Sequence, residues 1–386
     1  MIYADYNGSA PVCEEVRQYL MARLENQGPY SNPNAIHALA QKCNGAMEKA
    51  RRECAKVLGA KPGQLVFNSG ATEGLSHVFY HLLTDGVKDQ KNLIIISGIE
   101  HSAVVNLACH YADKGFEKVI LQTLPNGQVD HKHLDSILAE RANQVAMVCV
   151  MAANNETGVI QPYKEMSASC QKHHVPFVCD TTQYIGKTAF SFAESGADFA
   201  FMSGHKIGAM PGTGILLVKD PTDLKPLVIG GGQERGRRGG TQNYIGNETL
   251  AVALDAFAKN YEKLEQLRAR RDAFEARIKE KFPKLVVLGG DAPRLASTSF
   301  ISLPGVHGQA VQIELESQGI YVTTSSACSD NEPVTSKVLR AMAVSDDIGR
   351  GAVRISLGMC SDAQWYDQVG DALIKAYEKL SKIRAY

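Results

Sequence analysis

The chain has 386 residues, its 41 lysines and arginines balance 41 aspartates and glutamates, and 44% of it is hydrophobic. A length of about 2.6 typical domains suggests two domains or one large one, burying about 75% of the surface exposed when unfolded. Zero formal charge argues against a general affinity for nucleic acid or anionic membranes. The longest apolar runs, 145–153 and 93–96, fall far short of the roughly 20 residues of a membrane span. Asp5 stands where a secretory leader would need a basic start and an apolar run, so a cytoplasmic protein is expected.

From about residue 64, short β-branched runs alternate with amphipathic stretches. Strands are expected at 64–68, 92–97, 118–124, 145–151, 176–180, 198–202 and 214–218. Helices are expected at 71–83, 102–114, 133–141 and 163–173. Continuous apolar strands alternating with helices imply a mostly parallel sheet covered on both faces, an α/β fold. A long charged helical stretch at 247–282 connects to a second module. Its strands are expected at 285–288, 297–302, 321–324 and 352–356, and its helices at 309–318, 334–341 and 362–383. That module reads as a smaller α+β domain. The proposed division is 1–14 as a segment packing with the small domain, 15–255 as the large domain and 256–386 as the small one.

Nine cysteines, at 13, 43, 54, 109, 149, 170, 179, 328 and 360, form no C-x-x-C pair. The odd count and the spacing fit neither a disulfide framework nor a zinc site, so no metal site is expected. Cys109, Cys149 and Cys179 lie in apolar runs and read as small buried hydrophobes. Cys328 lies among Ser, Thr and Asp residues in a loop-like stretch, where a thiol is accessible.

In open α/β sheets, ligands bind beyond the carboxyl ends of the strands. The segment Asn68-Ser-Gly-Ala-Thr-Glu73 joins a strand to a helix start whose free N–H groups suit a phosphate. Alone it is an ordinary N-cap, and it lacks the Gly-Lys-Ser/Thr ending of a Walker A loop. Lys206 follows a buried strand in Ser203-Gly-His-Lys206, where a partly desolvated amine can form a Schiff base. Asp180 ends another strand, with Gln183 three residues on; alone it would be a helix cap. A phosphate cradle, a Schiff-base lysine and a carboxylate for a pyridinium nitrogen are together what pyridoxal phosphate requires.

At these residues the chain resembles the NifS/IscS-like cysteine desulfurases, a class V branch of the fold-type I pyridoxal-phosphate enzymes. The matching segments run in order: Tyr3-Ala-Asp-Tyr-Asn7, Ser31-Asn-Pro-Asn-Ala-Ile-His37, Ser69-Gly-Ala-Thr-Glu73, Glu100-His-Ser-Ala-Val104 and Asn154-Asn-Glu-Thr-Gly-Val-Ile-Gln-Pro162. Then come Asp180-Thr-Thr-Gln183, Ser203-Gly-His-Lys206, Gly230-Gly-Gly-Gln-Glu-Arg-Gly236, Gly240-Thr-Gln-Asn243, Ser326-Ala-Cys-Ser329 and Arg354-Ile-Ser-Leu-Gly358.

The resemblance implies that Lys206 holds pyridoxal 5'-phosphate and moves the substrate Cα proton, and that His101 stacks on the ring and assists proton transfer. It implies Asp180 at the ring nitrogen, and Gln183 and Asn155 at the phenolic oxygen, with Asn155 also near the substrate. Ala71, Thr72, Ser203 and His205 would hold the phosphate, and Thr241 would reach the phosphate of a neighbouring subunit in a homodimer. Arg354 would bind the carboxylate of L-cysteine. Cys328 would take the sulfur as a persulfide, act as a transient iron–sulfur ligand and pass sulfur to a scaffold or acceptor protein.

Three stretches depart from the family pattern: Asn7-Gly-Ser-Ala-Pro11, Glu73-Gly-Leu-Ser-His77, and a Cys328 loop that lacks a preceding glycine and is about two residues short. A selenocysteine lyase, another class V pyridoxal-phosphate enzyme and a weakly active sulfur-relay scaffold remain alternatives at this level.

Overall fold

The computed structural model describes residues 1–26, 28–84, 91–324, 335–362 and 364–383. A short strand β1 (Ile2–Tyr3) and two helices, α1 (Glu14–Glu25) and α2 (Ala38–Val57), come first, where the sequence pattern raised no expectation. Then β2 (Leu65–Asn68) leads into α3 (Ala71–Leu83), β3 (Leu93–Ser97) into α4 (Ser102–Ala112), β4 (Glu117–Leu121) into α5 (His131–Arg141), and β5 (Val145–Met151) into α6 (Tyr163–Lys172). Next come β6 (Phe177–Asp180), the single-turn α7 (Phe192–Ser195), β7 (Phe199–Ser203) and β8 (Gly214–Val218), and α8 (Tyr244–Lys281) leaves the sheet. The expected strands and helices of this region are all present, with ends shifted by a few residues.

The strand order is β2-β8-β7-β6-β5-β3-β4. Of these seven described strands, β8 runs against the other six. The sheet is thus mostly parallel, and its apolar strands have the both-sided cover that such sheets need. In β5, Val145, Val148 and Val150 join the core with Met47, Leu134, Met166 and Leu250, whereas Ala146, Met147 and Cys149 join Val78, Phe79 and Val104. Helices α2, α5, α6 and α8 therefore cover one face, and α3 and α4 the other. Cys149 and Cys179 are buried as expected. Cys109 is a correction: it lies on the exposed side of α4, whose apolar stripe runs through Val104 and Ala108 instead.

The second module is an antiparallel sheet ordered β12 (Thr323–Thr324), β13 (Ala352–Ser356), β10 (Thr298–Ser302) and β9 (Val286–Val287). Helices α9 (Gly308–Glu316), α10 (Lys337–Ala341), α11 (Asp346–Gly349) and α12 (Trp365–Ile383) accompany it. The single strand expected at 321–324 is split. Its first part, β11 (Ile320–Tyr321), pairs in parallel with β1, while β12 pairs with β13. Two different partners satisfy one extended stretch, so it belongs to two sheets.

Helix α8 changes core along its length. Leu250, Ala253 and Leu254 pack beneath the large sheet, and Phe257, Leu264, Leu267 and Phe274 pack in the small module. We propose a boundary near residue 255 on this change, with residues 1–14 grouped beside the small module because β1 and Ala4 bond to β11 and Ser356.

The glycine-rich run at 230–240 is clamped to the large sheet by a buried ion pair. Arg51 donates to both Glu234 carboxylate oxygens at 2.8 Å and to Leu65 O at 2.9 Å, and Glu234 accepts from Phe67 N at 3.0 Å. The two side chains are 5% and 1% exposed. Removing one partner strands the other's charge in the core, which costs more than replacing both. Arg51→Ala should therefore lower the stability of the apoprotein in urea unfolding by about 3–5 kcal/mol. The double variant Arg51→Met/Glu234→Gln, which keeps the acceptor for Phe67, should lose clearly less. Equal losses would show that the stranded charge is not the cause.

Candidate active site

The carboxyl ends of β5, β6 and β7 open into a cleft of about 380 Å³. Every predicted site residue apart from Thr241 and Cys328 lines it, although these residues span 71 to 354 in sequence. Thr241 is exposed and lines a separate hollow beside Asn68, Ser69 and Glu234. Cys328 lies outside the described residues. Thr324, before it in sequence, pairs with Val353, next to Arg354.

At one end of the cleft, β2 turns into α3 through Gly70. Its φ of +150° favours glycine, and a Cβ there would come 2.9 Å from Ser203 Oγ. Asn68 Oδ1 accepts from Gly70 N at 3.0 Å, and Ala71 N donates to Ser203 Oγ at 3.2 Å. The start of α3, with Ala71 and Thr72, thus faces the same space as Ser203 and His205. N–H groups, a hydroxyl and an imidazole at a helix N-terminus suit a phosphate. His205 Nδ1 lies 3.0 Å from Ser9 Oγ.

Lys206 sits in the helical turn Gly204–Lys206 directly after β7. Its Nζ donates to Asn7 O at 2.8 Å and Gly8 O at 2.7 Å. Asp180, at the end of β6, accepts from Thr182 N at 2.9 Å. Burial raises the Asp180 carboxyl above its usual range, opposed by Thr182 and by the positive fields of His101 and Lys206. A cationic ring nitrogen placed there would favour its ionised form. His101 caps α4, its Nδ1 accepting from Ala103 N at 3.1 Å, and it also borders the cleft. The capping and functional readings of this residue are therefore compatible.

Arg354 donates to Asn155 O at 2.7 Å and to Asp5 Oδ1 at 2.6 Å. Its buried Nε has no hydrogen-bond partner among the described residues. A buried guanidinium with an unfilled donor suits an incoming carboxylate. Gln183 Nε2 donates to Asn7 O at 2.8 Å. Taken together, the phosphate-type helix start, the amine of Lys206 and the buried carboxylate of Asp180 in one cleft fit pyridoxal phosphate.

Three residues of the site were given no role from sequence. Asn7 is 1% exposed and accepts from Lys206 and Gln183. Lys187 is 4% exposed and contacts Asn7 and Gln183. The only signal for it is a lysine within the otherwise uncharged stretch after Gln183. Glu100 is buried beneath His101; its Oε1 accepts from Ser97 Oγ at 2.5 Å and Met151 N at 3.0 Å, while Oε2 has no partner among the described residues. Burial pushes the Glu100 carboxyl up to about 8, and the charge of Asp180 adds to the rise against the hydrogen bonds from Ser97 and Met151.

The family model for class-V aminotransferases matches residues 2–369. The chain is 31% identical to the cysteine desulfurase IscS of Dictyoglomus turgidum, covering 100% of this chain and 96% of that protein. A solved structure titled as a NifS-like protein superposes with a TM-score of 0.86 at 31% identity, covering 98% of this chain and 99% of that one. Another, titled SspA in complex with cysteine, superposes at 0.79 with 26% identity, covering 94% and 100%.

Glu100 makes the stability of the fold depend on pH. Its folded carboxyl keeps its proton up to about 8, whereas an ordinary one releases it near 4.5. Between those values the folded state binds more protons than the unfolded state, so this group lowers stability as pH rises and levels off above about 8. Glu100→Gln removes that loss. Urea unfolding of the apoprotein at about pH 5.5, 6.5 and 7.5 should show a pH slope less negative than wild type by up to about 1.4 kcal/mol per unit. Parallel slopes would mean that Glu100 is already ionised in the fold.

Proposed function

The chain belongs to the class-V aminotransferase family, and from that premise we propose that it is a pyridoxal-phosphate-dependent cysteine desulfurase that converts L-cysteine to L-alanine and takes the sulfur on Cys328. The observation that carries this reading is the convergence of Lys206, Asp180 and Arg354 on one cleft that also receives the start of α3. The cysteine held by one solved relative supports the choice of substrate.

When bound, the cofactor supplies an electron sink for the charge left as the substrate Cα loses its proton. In this reading Lys206 holds the cofactor and then carries that proton, and Asp180 keeps the proton on the ring nitrogen. Ala71, Thr72, Ser203 and His205 hold the phosphate, Gln183 and Asn155 donate toward the phenolic oxygen, and His101 covers the ring and assists proton transfer. Arg354 grips the substrate carboxylate and so fixes how the substrate lies in the cleft.

The Cys328 thiolate attacks that sulfur. An S–S bond forms and the C–S bond breaks. The electron pair stays with the β-carbon, which takes up a proton, so alanine leaves and Cys328 retains the persulfide. A scaffold or acceptor protein would then receive the sulfur for iron–sulfur cluster or thio-cofactor assembly, with Cys328 as a transient ligand. Thr241, exposed beside Ser69, would complete the phosphate site of a second copy in a cytoplasmic homodimer. The 82% exposure of Ile229, in the same loop, supports an interface there.

Purified protein given L-cysteine and a reductant should form alanine and sulfide in equal amounts. Cys328→Ala should keep the cofactor but form neither, and Lys206→Ala should lower turnover by about 10²–10⁴-fold. Equal alanine from wild type and Cys328→Ala would instead favour a lyase that needs no thiol acceptor.

A further inference from the structure

Lys187 is a second lysine in this site, and its burial has to be explained. Lysine is almost never fully buried without a partner, because removing an ammonium from water is costly. Here no described carboxylate lies at ion-pair distance. Its Nζ donates to Asn7 Oδ1 at 2.6 Å and to Gln183 Oε1, both neutral amide oxygens. The charged groups that act on it are Lys206 and Arg354, which repel it, and Asp5, which attracts it. Burial, followed by those two cations, holds its basicity well below the ordinary lysine value.

A lysine amine offers only donors when charged and still two donors when neutral, whereas a primary amide has an oxygen at one end and an NH₂ at the other. Gln183 Oε1 accepts from Lys187 while its Nε2 donates to the Asn7 carbonyl, so the two contacts together fix which way that amide faces. The NH₂ must point to the opposite side, where one hydrogen meets Asn7 O at 2.8 Å and the other remains for the cleft that Gln183 lines. The same contact turns Asn7, whose Nδ2 then donates to Thr298 Oγ1 at 3.1 Å and Asn155 O at 3.2 Å. One amine thus orients two amides. We propose that Lys187 is a positioning residue, holding Gln183 as an obligate hydrogen-bond donor toward the phenolic oxygen of the bound cofactor.

This proposal rests on the pyridoxal-phosphate reading above. A donor at the phenolic oxygen stabilises its ionised form and weakens the hold on the proton of the adjoining Lys206 nitrogen. Without Lys187 the Gln183 amide is held by Asn7 O alone and can swing away from the phenolic oxygen, and that proton is then held more tightly.

The test is a visible-absorbance titration against pH of the protein loaded with pyridoxal 5'-phosphate, which needs no turnover. Lys187→Met should raise the titration midpoint by about one pH unit. Gln183→Ala should raise it similarly, and the double variant should add nothing further, because both changes remove the same hydrogen bond. Lys187→Arg, which retains donors, should stay close to wild type. It carries the test alone if the methionine variant fails to fold, a shift of about one unit then counting against the proposal. An unmoved midpoint in Lys187→Met, or shifts that add in the double variant, would show that Lys187 merely fills space. Wild-type protein that gains no visible band with the cofactor would instead remove the functional reading itself.

Discussion

Asn7 ties the two hydrophobic cores to one site. Its backbone N–H donates to Ser356 Oγ and its side chain to Thr298, both in the small module. Its carbonyl accepts from Gln183 and Lys206, and its side-chain oxygen from Lys187, all in the large one. A buried amide cannot leave these groups unmet without a cost of about 1–3 kcal/mol each. Any displacement of the small module relative to the large sheet must break several of these bonds together. The N-terminal strand β1, bonded along β11, holds Asn7 at this junction.

The charges of the cleft are arranged around the same junction. The amines of Lys206 and Lys187 and the guanidinium of Arg354 gather near Asn7, with Asp5 bonded to Arg354, while the carboxyl groups of Asp180 and Glu100 lie at the ends of β6 and β3. Burial penalises the charge of both carboxyls, but Asp180 has the positive fields of His101 and Lys206 against that rise, whereas Glu100 has no such cation among the described residues and is kept neutral. Asp180, facing His101 and Lys206, is the group able to respond to a positive ring nitrogen. Glu100, tied to Ser97 and Met151, joins the ends of β3 and β5 beneath the cleft. The ion pair between Arg51 and Glu234 has the opposite logic, since each charge there is matched and the loop that carries Thr241 is anchored by it.

The alternating pattern from residue 64 onward made the large sheet legible. Fully apolar strands can exist only with cover on both faces, and period and length separate them from the helices between. The same pattern could not divide 321–324 between two sheets, because two short strands in one extended run look alike in sequence. Cys109 was misjudged for a related reason. An apolar run says that a helix has a buried stripe, but rotation about its axis is set by the neighbours it packs on.

Within the site, the sequence by itself determined the residues that sit in local motifs: Lys206 after its strand, Asp180 at the end of another and the Gly70 turn. These are local, because a strand end followed by a reactive residue is visible along the chain. The tertiary structure alone decided what Asn7, Glu100 and Lys187 do. Each acts through partners far away in sequence, as Asn7 does with Lys206, or through a burial that no local pattern records. Hydrogen bonding and desolvation depend on which groups are brought within about 3 Å and shut away from water, and only the packed chain fixes both.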